Sequence, residues 1–414
     1  MLFSTLCSLL PSAFCSLPYA FGRRSAISRE GDPLLLAALC PLPSALCSMP
    51  TAPKRICLIS VEIFAYGKYG GFGKATRTIG RELARRGYEV FAVVPRRLDQ
   101  PAEEELDGIT VLSYLPSEVL DSGQIYKKIN ADIYHSCEPS WGTYLAQKHI
   151  PSAKHLATIR DPRDLQDWYL EFLHPSQSQW QVIKNFLYET NFLVRRAVRH
   201  NDGVFSPAHF MLPKIRKIYG LKQDPVFIPT PVEVPATIVK SETPKVLMMS
   251  RLDPRKRPEM FLKLAKDFPQ VEFHVAGKSR VPEYEHQLRQ AYSADNVIFH
   301  GFVDQFRDPL HHTLMEQSWI LINPAVREGL PNSYLEAAAH RTAILSHVDP
   351  DGFATRFGYH AAKDDFNEGL STLLQQDTWK DQALKGYQYV SDTFALPHAM
   401  DAHEHMYASI LSNT

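Results

Sequence analysis

The sequence predicts an α/β protein built from two parallel-sheet halves that face each other across a cleft. Three observations carry this prediction. Short apolar runs alternate with helical stripes through most of the chain, the pattern of strands buried on both faces by crossover helices. The alternation is interrupted once, where Pro229, Pro231, Pro235 and Pro244 crowd into a polar stretch that reads as a linker. In each half a loop rich in glycine or cations directly follows a strand, and loops at the carboxyl ends of parallel strands are where such sheets bind ligands.

The elements follow in order. Arg55–Ser60 is a short apolar run and reads as a buried strand. Tyr66–Gly73 is a glycine-rich loop. Lys74–Arg86 carries Ala75, Ile79, Leu83 and Ala84 on one helical stripe, and Gly87 suits the position just past that helix. Tyr88–Val94 is the next strand. Ala131–His135 and His155–Ile159 are further strands around a helix at about Trp141–Lys148, and a longer helical region is expected over roughly Ser176–His200. Gly203–Ser206 and Pro225–Ile228 close the first half, 54–235. The second half, 243–389, alternates in the same way. Its strands are expected at Lys245–Ser250, Val271–Ala276, Val297–His300 and Trp319–Asn323. Its helices are expected at about Pro258–Asp267, Glu283–Tyr292 and Pro309–Gln317. The tail, 390–414, reads as a helix with Pro397 in its first turn, crossing the domain junction.

Composition bounds the rest. Of 414 residues, 44% are hydrophobic and 22% charged, as in a folded protein with a sizeable core. Lys+Arg and Asp+Glu both total 45, which gives no steer toward nucleic acid. Four of the six cysteines (Cys7, Cys15, Cys40, Cys47) fall in the first fifty residues, leaving Cys57 and Cys137 in the body. That is too few for a disulfide framework and matches no zinc spacing, so a reducing, cytoplasmic compartment is expected. No apolar run reaches the roughly 18 residues of a membrane-spanning helix. Residues 1–48 contain a degenerate, proline-broken repeat beginning at Cys7, Cys15 and Cys40. It lacks a signal peptide's positive start and reads as low-complexity sequence ahead of a start at Met49, with residues 1–53 outside the fold, which begins at about Lys54.

Three constellations carry chemistry. Gly70-Gly71-Phe72-Gly73 enters a helix, where free N–H groups favour an anion such as a diphosphate; a plain tight turn gives the same pattern. It lacks the spacing of a dinucleotide fingerprint, and Val94-Pro95-Arg96-Arg97 ends the next strand without the acid a nicotinamide dehydrogenase needs. Ser250–Arg257 places Arg251, Arg255, Lys256 and Arg257 after a strand, suited to a pyrophosphate leaving group or to a solvated charged loop. In Glu328-Gly-Leu-Pro-Asn-Ser-Tyr-Leu-Glu336, two acids flank a turn into a helix. They can grip hydroxyls on either side of a diphosphate, although Glu336 also suits a helix surface.

Together these blocks resemble glycosyltransferase family 4, retaining enzymes of the GT-B fold with two Rossmann-like domains. The family's pair of glutamates stands as Glu328 and Glu336, followed by Ala337, and its upstream Arg and Lys as Arg251 and Lys256. The resemblance runs from about Lys54 to Asn413. It implies that Arg251 and Lys256 hold the donor diphosphate and that Glu328 contacts the transferred sugar; these three form the catalytic set. The backbone of Gly329, Leu330, Pro331 and Asn332 meets sugar and phosphate, and Glu336 binds the ribose. Gly71 sits against the phosphates, and Gly301 and Val303 hold the base. The implied donor is a UDP- or GDP-linked nucleotide sugar, with no cofactor and no metal requirement. Transfer proceeds by front-face displacement assisted by the leaving phosphate.

The chain also departs from the family. Arg160 stands where many members carry His; it cannot act as a base but can bind sugar hydroxyls. His135, after an earlier strand, is a second acceptor-side candidate. His340-Arg-Thr-Ala343 replaces the usual Gly-x-Pro turn, and Asp351-Gly352 replaces a glycine-rich loop. Asp161–Asp164 and Asp349–Asp351 hold acids but do not space them as a metal-ligand set. The acceptor is expected to be a carbohydrate or lipid-linked molecule. Trp168, Tyr169, Phe172 and Trp180 form its wall or, better, fill a core. Arg195, Arg196 and Arg199 offer a basic face for peripheral membrane contact, or a solvated one. Two other readings stand beside transfer: a catalytically silent GT-B protein that binds a glycan or partner, and a nucleotide-sugar 2-epimerase.

Overall fold

The computed structural model describes residues 55–64, 66 and 70–412. The expected low-complexity segment 1–53 lies outside the described residues, as do positions 67–69 of the glycine loop. In the first half the strands are β1 (Arg55–Ile59), β2 (Glu89–Pro95), β3 (Glu103–Leu106), β4 (Ile109–Tyr114), β5 (Ile133–Ser136), β6 (Lys154–Thr158), β7 (Gly203–Ser206) and β8 (Val226–Phe227). They form a sheet ordered β3-β4-β2-β1-β5-β6-β7-β8. Every pairing is parallel except β3 with β4. The second half contributes β9 (Lys245–Met249), β10 (Glu272–Ala276), β11 (Val297–Gly301), β12 (Ile320–Asn323), β13 (Ala343–Ser346) and β14 (Gly358–His360). These form an all-parallel sheet ordered β11-β10-β9-β12-β13-β14.

This topology fixes where ligands can bind. The first sheet grows outward from β1 through β2 and β4, then restarts on the other side of β1 with β5. The second grows from β9 to β11, then restarts beside β9 with β12. Order therefore reverses between β1 and β5 and again between β9 and β12, and the loops leaving those strands open onto the two crevices. The apolar strand runs are buried as continuous stretches: Ile56, Cys57 and Leu58 are fully buried, as are Ile320 and Ala343.

Several elements differ from the sequence reading. The helical region expected over 176–200 is made of two helices, Gln179–Glu189 and Phe192–Arg199. The break comes at Asn191, whose side chain accepts the Leu193 N–H at 2.8 Å and starts a new helix. A further helix, Leu165–Leu173, precedes them, with Asp164 accepting from the Gln166 and Asp167 amides. In the tail, residues 390–393 end the helix Thr378–Thr393, and a separate helix, Leu396–Ser412, follows. At the break the chain pairs with the linker: Val232 N–H donates to Phe394 O at 2.9 Å and Leu396 N–H to Val232 O at 2.8 Å. Val390 then packs in the second half's core, whereas Met400, Met406 and Tyr407 pack with Ile56 and Leu58 of β1. The tail thus returns to the first half.

Candidate active site

A cavity of about 550 Å³ lies where the loops leaving β1, β6, β9 and β12 converge. The first half lines it with Glu62, Gly70, Gly71, Lys74, Arg160, Asp161, Arg163 and a polar run including Ser176, Gln177, Ser178, Gln181 and Asn185. The second half lines it with Ser250, Arg251, Arg255, Lys256, Arg280, Gln305, Glu328, Gly329, Leu330, Pro331, Asn332 and Glu336. The two basic and acidic blocks of the second half are tied together, with Val326 N–H donating to Arg255 O at 3.1 Å.

Glu328 ion-pairs with Lys256 and accepts from Asn323 Nδ2 at 3.4 Å. Lys256 is placed by a short 3-10 turn, Pro254–Lys256, whose cap Asp253 accepts the Lys256 N–H. Arg257 turns away from the cavity, to a two-bond pair with Asp364 at 2.7 and 2.8 Å. Arg251 keeps only a 3.6 Å contact to Asp253, with its side chain one-third exposed. Arg280 stands near it, and burial together with the neighbouring Arg251 charge lowers the Arg280 pKa. Two guanidiniums that disfavour each other in one wall form a site that an incoming anion stabilises.

Glu336 is not a surface acid. It is buried, with one oxygen paired to Lys74 and the other 3.1 Å from His311 Nε2. Burial pushes its carboxyl up, but Lys74 and His311 together hold the pKa down at about 2. Between the two glutamates, the helix Asn332–Ala339 begins with no side-chain cap and no acid in its first turn, which suits a phosphate or sugar oxygen. A Cβ at Gly329 would stand 2.4 Å from Arg160 O, so only glycine lets the halves approach this closely.

The glycine loop differs from the expectation. The helix Gly71–Arg85 has no acid in its own first turn, but Glu62 reaches it from the β1 loop and accepts the Gly73 N–H at 3.0 Å. A Cβ at Gly70 would meet Glu62 Oε1 at 2.3 Å. The chain therefore supplies an anion to this helix start itself, although Gly71 still lines the cavity.

Three site candidates stand apart from the cavity. His135 is fully buried behind it, with Nδ1 2.9 Å from the Tyr407 hydroxyl and Nε2 2.7 Å from Thr158 Oγ1. Burial, then the nearby His403 and Arg160, push its pKa well down, and the ring is packed in the core rather than in the cavity wall. Gly301 and Val303 do not line the cavity either. Gly301 adopts a left-handed φ of 71° and accepts the Gly277 N–H at 2.7 Å, and Val303 packs on the second half's core. Gln305 from the same loop is the residue that reaches the wall. Arg160 does line it: its guanidinium donates to Thr230 Oγ1 at 2.7 Å and its N–H to Glu138, whose carboxyl burial pushes up to about 8.

The sequence reading missed the charged seam that joins the halves. Arg327, next to Glu328, is buried and contacts Asp161 at 2.6 Å, Asp167 at 2.9 Å and Glu171 at 3.4 Å. Arg255 also pairs with Glu171, and Ser176 Oγ donates to Asp253 at 3.1 Å. Asp351 accepts the His209 and Phe210 amides at 2.9 and 2.6 Å, and Asp349 caps Ala354. The two acidic clusters read as metal-free from sequence thus have structural partners. Among the described residues no group of three His, Cys, Asp or Glu side chains is arranged to hold a metal ion. Of the four aromatics, Trp168 is a core residue packed on Phe186, whereas Tyr169 and Trp180 are exposed.

The sequence matches the family profile "Glycosyltransferase Family 4" over residues 69–234 and "Glycosyl transferases group 1" over 233–359. Among solved structures, the chain is similar to sucrose-phosphate synthase from Thermosynechococcus elongatus, with 15% identity, a TM-score of 0.70, and coverage of 87% of this chain and 100% of that one. It is similar to a glycosyltransferase from Rickettsia africae at 18% identity and a TM-score of 0.61, and to Anabaena HepE, solved with UDP-glucose, at 13% and 0.62. Both comparisons cover 87% of this chain and 100% of the other. At these identities the likeness establishes the GT-B fold. No curated protein matches the sequence.

Proposed function

We propose that this chain, which belongs to glycosyltransferase family 4, moves a sugar from a UDP- or GDP-linked donor to a hydroxyl-bearing acceptor with retention of anomeric configuration. The observation that carries this reading is the second-half wall, where Arg251 and Arg280 lack full compensation beside the Lys256–Glu328 pair. The guanidiniums suit a diphosphate, and Glu328 suits the sugar hydroxyls one turn of chain away. Retention follows if the departing phosphate oxygen itself takes the acceptor proton, which removes the need for a nucleophile on the opposite face. Arg160 can bind sugar or acceptor oxygens but not take a proton. The burial of His135 also removes the imidazole nearest an epimerase reading. Metal is not required in this scheme, because cations and the uncapped helix start carry the charge.

A screen of nucleotide sugars by thermal shift tests this. The correct donor at about 100 times its Kd is expected to stabilise by about 2.7 kcal/mol. Proton NMR of the released or transferred sugar then reads the anomer. Absence of any stabilising nucleotide sugar supports a silent binding protein, and an inverted anomer overturns retention.

On the acceptor side we favour a lipid-linked carbohydrate. The polar run Ser176–Asn185 suits sugar hydroxyls. Leu165, Tyr169 and Leu173 form one exposed apolar stripe, and Trp180, Ile183 and Leu187 another, on two helices of the same wall. Exposed Arg196 and Arg199 lie on the next helix. Such faces suit peripheral contact with an anionic membrane surface, at its cytoplasmic side given the free, buried Cys57 and Cys137. No helix among the described residues is long and apolar enough to cross a membrane. Sedimentation with vesicles containing phosphatidylglycerol is expected to capture the protein, and Trp180→Ser with Leu187→Ser to release it. Equal sedimentation of both proteins, or of neither, argues against membrane contact.

A further inference from the structure

We propose that Lys74 is an exchangeable counter-ion for the donor. In the empty cleft it neutralises Glu336 across the two halves; when the donor enters, it yields Glu336 to the ribose hydroxyls and takes up the diphosphate. This rests on the donor-site reading above.

Lys74 sits in the first turn of the helix Gly71–Arg85, in the first half, and Glu336 in the helix Asn332–Ala339, in the second. Their side chains pair, and both line the cavity. Glu336 spends its second oxygen on His311. Both oxygens therefore carry a partner before any ligand arrives, and a ribose diol must compete with these partners for the carboxylate's remaining acceptor positions.

The geometry says which one leaves. His311 belongs to the helix Leu310–Gln317 in the same half as Glu336. It moves with its partner when the cleft opens. Lys74 belongs to the opposite half and carries a compact ammonium on a flexible four-carbon stem with three donors. The other first-half cations in the wall are committed elsewhere: Arg160 to Thr230, and Arg163 to Asp161 and Glu189 at 2.8 Å each. Gly73 N–H is committed to Glu62. Lys74 is thus the first-half cation able to follow a phosphate, facing Arg251 and Arg280 from across the cleft. Asn332 Nδ2 donates to Gly71 O at 2.8 Å beside it, so the exchange takes place at a contact that already joins the halves.

Calorimetry with UDP, UMP, GDP and GMP on the full chain tests this through the affinity ratio of diphosphate to monophosphate for the preferred base. In Lys74→Gln that ratio is expected to fall about tenfold, the scale of one lost charge-assisted hydrogen bond, while monophosphate affinity is held or improved. Lys74→Arg is expected to keep most of the ratio. Glu336→Gln weakens both nucleotides but frees Lys74, so its ratio is expected to hold or rise. An unchanged ratio in Lys74→Gln, or a collapsed one in Glu336→Gln, overturns the exchange and leaves Lys74 a simple latch. A wild-type chain that binds none of the four overturns the donor reading itself, a result distinguishable because no variant is needed to see it.

Discussion

Glu328→Gln is expected to lower the rate of sugar transfer at saturating donor by about 10²–10³-fold, the scale seen when one positioned electrostatic partner of a transition state is removed. The carboxylate lines the cavity between Lys256 and Asn323. Glutamine preserves its volume and the Asn323 contact, so the fold is not at issue. The charge facing the reacting sugar is removed, and Lys256 is left without its counter-ion. The freed ammonium is available to the diphosphate, so nucleoside-diphosphate affinity is expected to hold or tighten while turnover falls. That split is the diagnostic: a loss confined to kcat marks an interaction made in the transition state. It is measured as donor hydrolysis, or transfer where an acceptor is known, alongside calorimetry with the diphosphate. Unchanged turnover would remove Glu328 from the catalytic set. Unchanged turnover at saturating donor together with a loss of diphosphate affinity would make it a binding residue only.

How much of this was legible beforehand depended on how local each signal was. Arg55–Ile59 and Lys245–Met249 declared themselves because the central residues of a strand buried on both faces must be apolar. The acidic edge strand Glu103–Leu106 did not, because its exposed side chains show no core face. Arg251, Lys256, Glu328 and Glu336 could be placed on one cavity because each follows a strand at a switch point, and topology does the rest. The partners of those residues could not be placed. Lys74 and Glu336 are more than 260 positions apart, and nothing in either segment announces that a helix start in one half will face a helix start in the other. Glu62 is a similar case: its role as the anion at Gly73 depends on how the β1 loop folds back, not on its neighbours in sequence. His135 was read as following a strand, but it lies within β5, where its ring is held between Tyr407 and Thr158 in the packing behind the cavity. Gly301 and Val303 lie a few residues from Gln305, the residue of that loop that lines the cavity, and the loop leaves β11 at an irregular register with β10 that the sequence does not announce.

The same long-range logic makes Arg327 the residue whose loss is expected to do most damage to the structure. It is buried among Asp161, Asp167 and Glu171, all from the opposite half. Arg327→Met retains the apolar stem and removes the charge. Arg163, Arg255 and Lys214 still pair with Asp161, Glu171 and Asp167 respectively, so each acid keeps one cation. Removing Arg327, the cation that contacts all three, is therefore expected to cost about 3 kcal/mol, the lower end of the range for a broken buried pair. The protein is not a single two-state unit, so the effect is to be read as a lower urea midpoint for the first transition, in which the halves separate. The pH dependence gives the cause. Burial pushes the Asp161 carboxyl up, yet Arg327 and Arg163 hold it well below the ordinary range. Such a group contributes its stability in full above about pH 4 and loses it as pH falls toward the lowered folded value. In the variant the same carboxyl is held down less strongly and protonates earlier, which relieves part of the repulsion. The stability gap between wild type and variant is therefore expected to hold from pH 7 down to about pH 4 and to narrow below it, as Asp161 is protonated in the unfolded chain and then in the variant before the wild type. A gap that stays constant below about pH 4 as well would assign the loss to packing, and an unchanged midpoint at pH 7 would mean that the seam does not hold the halves together.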